Sequence, residues 1–188
     1  MATSCTENDE TDFKDTLNSS ISKLSDECRS LLYESSANIQ EAQLLTKSLV
    51  KCQSCLRTLA KSDEKLSKDI VIVLLQDFCQ AIMDKTFVEE NRLVEKDFVE
   101  NDSKQQIVLI LDYLTLPEKL ANHYINTSED IDLKLESLLS EEIWECLCWR
   151  RGALLYMYCH TVYNDTVRWK AGAAEFVKES LVIHTSLH

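Results

Sequence analysis

The chemistry open to this 188-residue chain depends first on its eight cysteines and four histidines. Cys52-x-x-Cys55 has the spacing of half a zinc site or of a thiol-redox pair. A structural zinc needs four ligands, and no second CxxC or CxxH stands at a workable distance. A redox pair needs a strand before it and a helix after it, whereas Cys52 continues an apolar seam of helical spacing. Both thiols therefore read as core residues. Cys146, Cys148, Cys159 and His160 lie close in sequence, yet on one helix Cys146 and Cys148 point about 200° apart. They cannot converge on one ion. No GxSxG, HExxH or phosphate-loop pattern occurs. The expectation is a protein with no catalytic, cofactor-binding or metal-binding residue, one that works by binding.

Arg150 and Arg151 are the most informative pair. Both sit mid-way along an apolar helical stretch, IWECLCWRRGALLYMYCHTVY. Their neighbours three and four residues away are Cys146, Leu147, Cys148, Ala153, Leu154 and Leu155. None is acidic, so no local ion pair is available. A buried guanidinium without a counter-charge costs several kcal/mol, on the order of the penalty for any uncompensated buried ion. Two solutions follow. Glu89 or Glu90 can accept the pair from within the fold as a bidentate partner. Alternatively the pair faces another protein, flanked by Trp144, Trp149, Tyr156 and Tyr158, residue types that dominate interface energetics. The candidate residues are thus Trp149, Arg150, Arg151, Tyr156, Glu89 and Glu90, as core ion pair or as interface.

The elements that must position these residues are helices. Two glycines and one proline cannot supply the turns of a β-sandwich or the phosphate loop of a doubly wound fold. From Phe13 to about Ser35, Leu17, Ile21, Leu24, Cys28 and Leu31 step by four and three, a heptad seam. Residues 37–60 repeat it with Ile39, Ala42, Leu45, Leu49, Cys52, Leu56 and Leu59. This predicts an all-α helical bundle opening with a heptad-patterned hairpin over residues 13–62. The same seam leaves a coiled-coil tether or structural oligomer as the alternative. A third helix is expected over Ser67–Thr86, and a short helix with an ordered loop over Phe87–Asp102. A fourth covers Lys104–Leu116, with Pro117 able to open another, and residues 121–130 are a polar connection. One long helix spans Asp130–Tyr163, its second half apolar around the circumference and so expected to be buried on all sides. Residues 1–12 read as disordered, 13–163 as one helical domain with its core over 67–163, and 164–188 as a separate tail.

Net charge is −12. Such a surface repels phosphate backbones and anionic lipid, which argues against nucleic-acid binding and against direct membrane insertion. The polar, acidic start MATSCTENDETDF is not the pattern of a secretory or transit peptide. Without one, the cysteines read as free thiols of a reducing compartment, the cytosol.

Two stretches, QAIMDKTFVEENRLVEKDF (Gln80–Phe98) and ECLCWRRGALLYMYCH (Glu145–His160), resemble the Rab-interacting subunit associated with the Mon–Ccz exchange-factor complex. The resemblance covers roughly Leu75–His160. It implies a non-enzymatic cytosolic adaptor that binds the late-endosomal Rab GTPase in its GDP form. It further implies a link from that Rab to the Mon–Ccz complex, and control of Rab stability and recruitment during removal of damaged mitochondria by autophagy. Recruitment to late endosomes, lysosomes or damaged mitochondria would come through these partners. Residues 164–188 depart from the family pattern and read as a divergent or truncated tail.

Overall fold

The computed structural model describes residues 7–34, 38–62, 66–99, 102–128 and 130–168. What the sequence suggests for residues 1–6 and 169–188 lies outside these. Among the described residues every regular element is a helix: α1 (Glu7–Glu34), α2 (Ile39–Lys61), α3 (Lys68–Glu95), α4 (Ser103–Thr127), α5 (Leu135–Leu139), α6 (Glu141–Asn164) and the single turn α7 (Thr166–Arg168). The chain is an all-α bundle. Its first helix starts at Glu7, within the stretch whose composition suggests disorder.

The heptad seam organises the core. Leu17, Ile21, Leu24 and Cys28 of α1 are fully buried, and α2 buries Leu45, Ser48, Cys52, Cys55 and Leu59. α1 packs on α2, α2 on α3, α3 on α4 and α4 back on α1, which closes a four-helix ring. Short connections make successive helices antiparallel neighbours. Most seam residues of α1 and α2 are buried or half-buried in this ring, which leaves no continuous strip open to a second chain. Ile39, a seam position by spacing, is the first residue of α2 and is exposed. Asn38 caps that helix, its side-chain oxygen accepting from the backbone N–H groups of Gln40 and Glu41.

Two helices run further than their sequence suggests. The periodicity predicts an end to α3 at Thr86 and a separate short helix from Phe87. Instead α3 continues unbroken to Glu95, because Val88, Glu90 and Leu93 extend its buried stripe and no glycine or proline interrupts it. It ends where Asp97 and Phe98 adopt left-handed φ angles of 51° and 53°. That turn sends Phe98 inward, edge-on to Tyr158 with ring centres 5.6 Å apart. In α4, Pro117 opens no new helix but lies inside a continuous one, and the expected polar connection at 121–130 is helical to Thr127. Proline removes one backbone hydrogen bond, to the carbonyl four residues back. Buried Tyr113 and Leu114 before it, and Leu120, Ala121 and Tyr124 after it, hold both halves against the core.

The long helix expected over Asp130–Tyr163 is in fact divided. Ser140, between α5 and α6, has φ 62° and ψ 152°, a region that side chains with a Cβ avoid and that costs roughly 1–3 kcal/mol. Its hydroxyl accepts from the N–H of Ile143 at 3.4 Å and so caps α6. The break lets Leu138 and Leu139 be buried while α5 and α6 each pack on both α3 and α4. Ser140→Gly should therefore raise stability by about 1 kcal/mol, since glycine relieves the strain and costs only a few tenths as a cap. Ser140→Ala should lower it by about 1 kcal/mol, since it keeps the strain and loses the cap. Denaturant unfolding of the two variants measures both; a loss of stability in the glycine variant would refute the strain.

Candidate protein-interaction face

α6 carries two kinds of surface. Leu147, Arg150, Arg151, Leu154, Leu155, Tyr158 and Val162 recur at steps of one, three and four and are buried against the ring. Trp149, Tyr156 and Tyr163 point the other way and are 73%, 69% and 68% exposed. The expectation that this helix is buried on all sides is therefore corrected. α3 and α4 cover only its inner face, and the rings of Trp149 and Tyr156 are left largely exposed beside α3.

The two arginines reach different partners. Arg150 Nη2 donates to Glu90 Oε1 at 2.6 Å, and its Nη1 donates to the carbonyl of Met83 at 2.7 Å. The guanidinium thus bridges two positions about two turns apart on α3, where the sequence suggests a bidentate carboxylate pair. Its plane also lies 5.9 Å from the centre of the Phe87 ring, within cation–π range. Arg151 Nη1 donates to Glu118 Oε2 at 3.0 Å on α4, and Nη2 to the Cys148 sulfur at 3.0 Å. Glu89 receives neither arginine; it accepts from Lys85 at 3.0 Å. Burial pushes the Glu90 carboxyl above its ordinary range against the pull of Arg150. It does the same to Glu89 against Lys85.

Glu118, Lys85 and Glu27 belong to this polar framework and are absent from the sequence candidates. Lys85 is almost wholly buried; it also bonds Glu27 Oε2 at 2.8 Å and stands 3.9 Å over the Tyr113 ring. It ties α3 to α1 and α4. Its signal is present in the sequence: Phe78, Ile82, Lys85 and Glu89 step by four, three and four, so a lone cation falls in phase with the core. Glu118 has no such signal, because its partner is 33 residues away in the chain.

Between α3 and α6 lies an open groove of about 710 Å³. Phe87 and Val94 form one wall, Trp149, Ala153 and Tyr156 the other, and Leu44 of α2 completes the lining. Phe87 is 46% exposed in it. The Arg150–Glu90 pair lies at its base and sets the distance between the walls. The groove holds the aromatic surface and the ion pair together, so the two readings of the arginine region concern neighbouring parts of one site: the arginines bond inward and the aromatics face outward.

The cysteines divide in the same way. Burial pushes the thiols of Cys28, Cys52, Cys55 and Cys79 up to about 12, which leaves almost no thiolate at neutral pH. Cys146 is exposed. Iodoacetamide at pH 8 followed by peptide mapping should modify Cys146 and leave these four buried thiols unmodified; rapid labelling of Cys52 or Cys55 would revive a redox role. Among the described residues no group of three or more His, Cys, Asp or Glu could hold a metal ion, and no helix is long and apolar enough to cross a membrane.

Residues 44–186 match the family model described as RAB7A-interacting MON1-CCZ1 complex subunit 1. The match extends beyond both ends of the 75–160 stretch that carries the sequence resemblance, and takes in most of the tail beyond residue 164. A zebrafish (Danio rerio) protein of that name is 46% identical over 105 residues, 56% of this chain and 36% of its own. The mouse (Mus musculus) protein is 48% identical over 89 residues, 47% of this chain and 29% of its own. The human (Homo sapiens) protein is 45% identical over 109 residues, 58% of this chain and 35% of its own. The chain thus spans about a third of the length of the curated relatives it matches. No solved structure matches it.

Proposed function

Because the chain belongs to the family of RAB7A-interacting MON1-CCZ1 complex subunit 1, we propose that it acts as a non-enzymatic adaptor for a Rab GTPase. It binds the late-endosomal Rab in its GDP form and brings it to the Mon–Ccz exchange complex. Through that contact it controls Rab stability and recruitment during removal of damaged mitochondria. The chain itself resides in the cytosol and reaches late endosomes, lysosomes or damaged mitochondria through its partners. The mechanism is binding energy alone: stabilising one conformer of the GTPase and raising its local concentration beside the exchange factor. Preference for the GDP state must come from contacts that differ between the two nucleotide states.

One observation supports an adaptor more than any other. The aromatic residues Trp149 and Tyr156 remain uncovered on a helix whose inner face is fixed by ion pairs. With half-exposed Phe87 across the groove they form an aromatic cluster of the residue types that anchor a partner. The tether alternative needs an open heptad seam, and the seam of α1 and α2 is occupied within the ring. The test is recovery of RAB7A on the immobilised full chain. GDP-loaded or nucleotide-free RAB7A should be retained more than the GTP-loaded form. Equal retention of all forms would remove the GDP preference, and no retention of any form would remove the adaptor reading.

A further inference from the structure

The groove between α3 and α6 has a length, a lining and a sign of charge. From Gln80 to Val94 the α3 wall is about 21 Å long, and from Cys146 to Met157 the α6 wall is about 17 Å, at 1.5 Å per residue. These residues bound the groove. That span matches three to four turns of an α-helix. Half-exposed Phe87 and exposed Trp149 and Tyr156 are anchoring surfaces of the kind that take the apolar face of an amphipathic helix.

The charge around it is one-sided. Arg150 is the one cation in the lining, and both of its terminal nitrogens are engaged, by Glu90 and by the Met83 carbonyl. It therefore offers little to an acidic ligand. Asp84 lines the α3 wall and takes its hydrogen bond from the neutral Gln80 amide. On α6, Glu142 and Glu145 are exposed one turn before Cys146 and Trp149, on the same face. Lys47, one turn beyond Leu44 on α2, stands against these three carboxylates. The chain as a whole carries −12, so its long-range field steers cationic partners toward it.

We infer that this groove docks a basic amphipathic helix of a partner protein, apolar residues seated between α3 and α6 and lysines or arginines meeting the acidic rim. The inference rests on the adaptor reading and names the kind of segment that the site takes. A second copy of this chain would bring an acidic rim against an acidic rim. The chain's own residues 169–188 balance Lys170 and Lys178 with Glu175 and Glu179, and so lack the excess of positive charge.

Cys146 lines the groove and is exposed, so it reports occupancy. The experiment measures its alkylation rate in the full chain by peptide mapping, with three synthetic 18-residue probes. One has Leu and Trp on one helical face and Lys on the others. The second carries Glu in place of Lys. The third is the Lys peptide with its order scrambled. The Lys helix should slow Cys146 alkylation at least tenfold at saturation, and the other two should not. In the double variant Asp84→Lys, Glu145→Lys, compared with its own peptide-free rate, the Glu helix should protect and the Lys helix should not.

Equal protection by the Glu helix or by the scrambled peptide would overturn the inference, as would no protection by any probe. So would Cys146 that is already unreactive in the full chain without a probe. If that protection is independent of protein concentration, the chain's own segment fills the groove; if it grows with concentration, a second copy does. Retention of RAB7A in the pulldown alongside a failed peptide test would remove the docking inference and leave the adaptor reading standing.

Discussion

Glu90→Ala should destabilise the fold by about 3–5 kcal/mol, the cost of leaving a buried ion without its partner. For a chain of this size that lowers Tm by on the order of 10 °C. Arg150 Nη2 loses its 2.6 Å contact, and the other nearby carboxylates, Glu89 and Glu118, already answer Lys85 and Arg151. A double variant discriminates further. Burial alone pushes the Glu90 carboxyl upward despite the guanidinium beside it, so taking both charges out of water is expensive. Glu90→Leu combined with Arg150→Met should therefore restore most of the loss, because two apolar side chains of similar volume need no hydration. Chemical denaturation of the single and double variants gives both numbers. A double variant as unstable as Glu90→Ala would mean that the cost is packing and not charge.

Trp149→Ala should do the opposite. With 73% of its surface exposed, the indole contributes little to folding, and stability should stay within about 0.5 kcal/mol of the parent. On the proposed adaptor role, a central aromatic of the interface should carry about 2 kcal/mol of binding, roughly a thirtyfold loss of affinity for RAB7A. Tyr156→Ala should act in the same direction. Thermal unfolding together with titration of RAB7A separates the two quantities. Retained affinity with retained stability would move the interface away from the α3–α6 groove. A charge reversal at Arg151 gives an internal control. Its partner Glu118 lies within the fold, so Arg151→Glu should unfold the bundle and not spare it.

The sequence shows most clearly what depends on local period. The steps of four and three from Leu17 to Cys28 are those of residues with no exposed surface, because burial on one side of a helix repeats with the helix itself. What it hides depends on residues distant in the chain. Pro117 carries a strong local stop signal, yet buried neighbours on both sides override it. Ser140 with Glu141 and Glu142 after it carries only the weak start signal of a capping serine before an acidic first turn, and the apolar spacing that runs on past it hides the break. At the site, the lack of a local acid near Arg150 and Arg151 is readable from spacing. The choice of Glu118 is not, because it needs the arrangement of α4 against α6. The openness of the outer face of α6 is hidden for a related reason: composition shows that a helix is apolar, but not how many sides of it meet another helix.

Three buried cations, Lys85, Arg150 and Arg151, are each met by a carboxylate on a different helix or turn. Leucine seams alone tolerate sliding by a turn, because one leucine replaces another at little cost. Here a slip of α6 by one turn, about 5.4 Å, would strand both guanidinium groups in an apolar interior at once. Near-native alternative packings are thereby excluded by charge where shape would permit them. The bundle possesses a single alignment, fixed for α6 by one acid on α3 and one on α4.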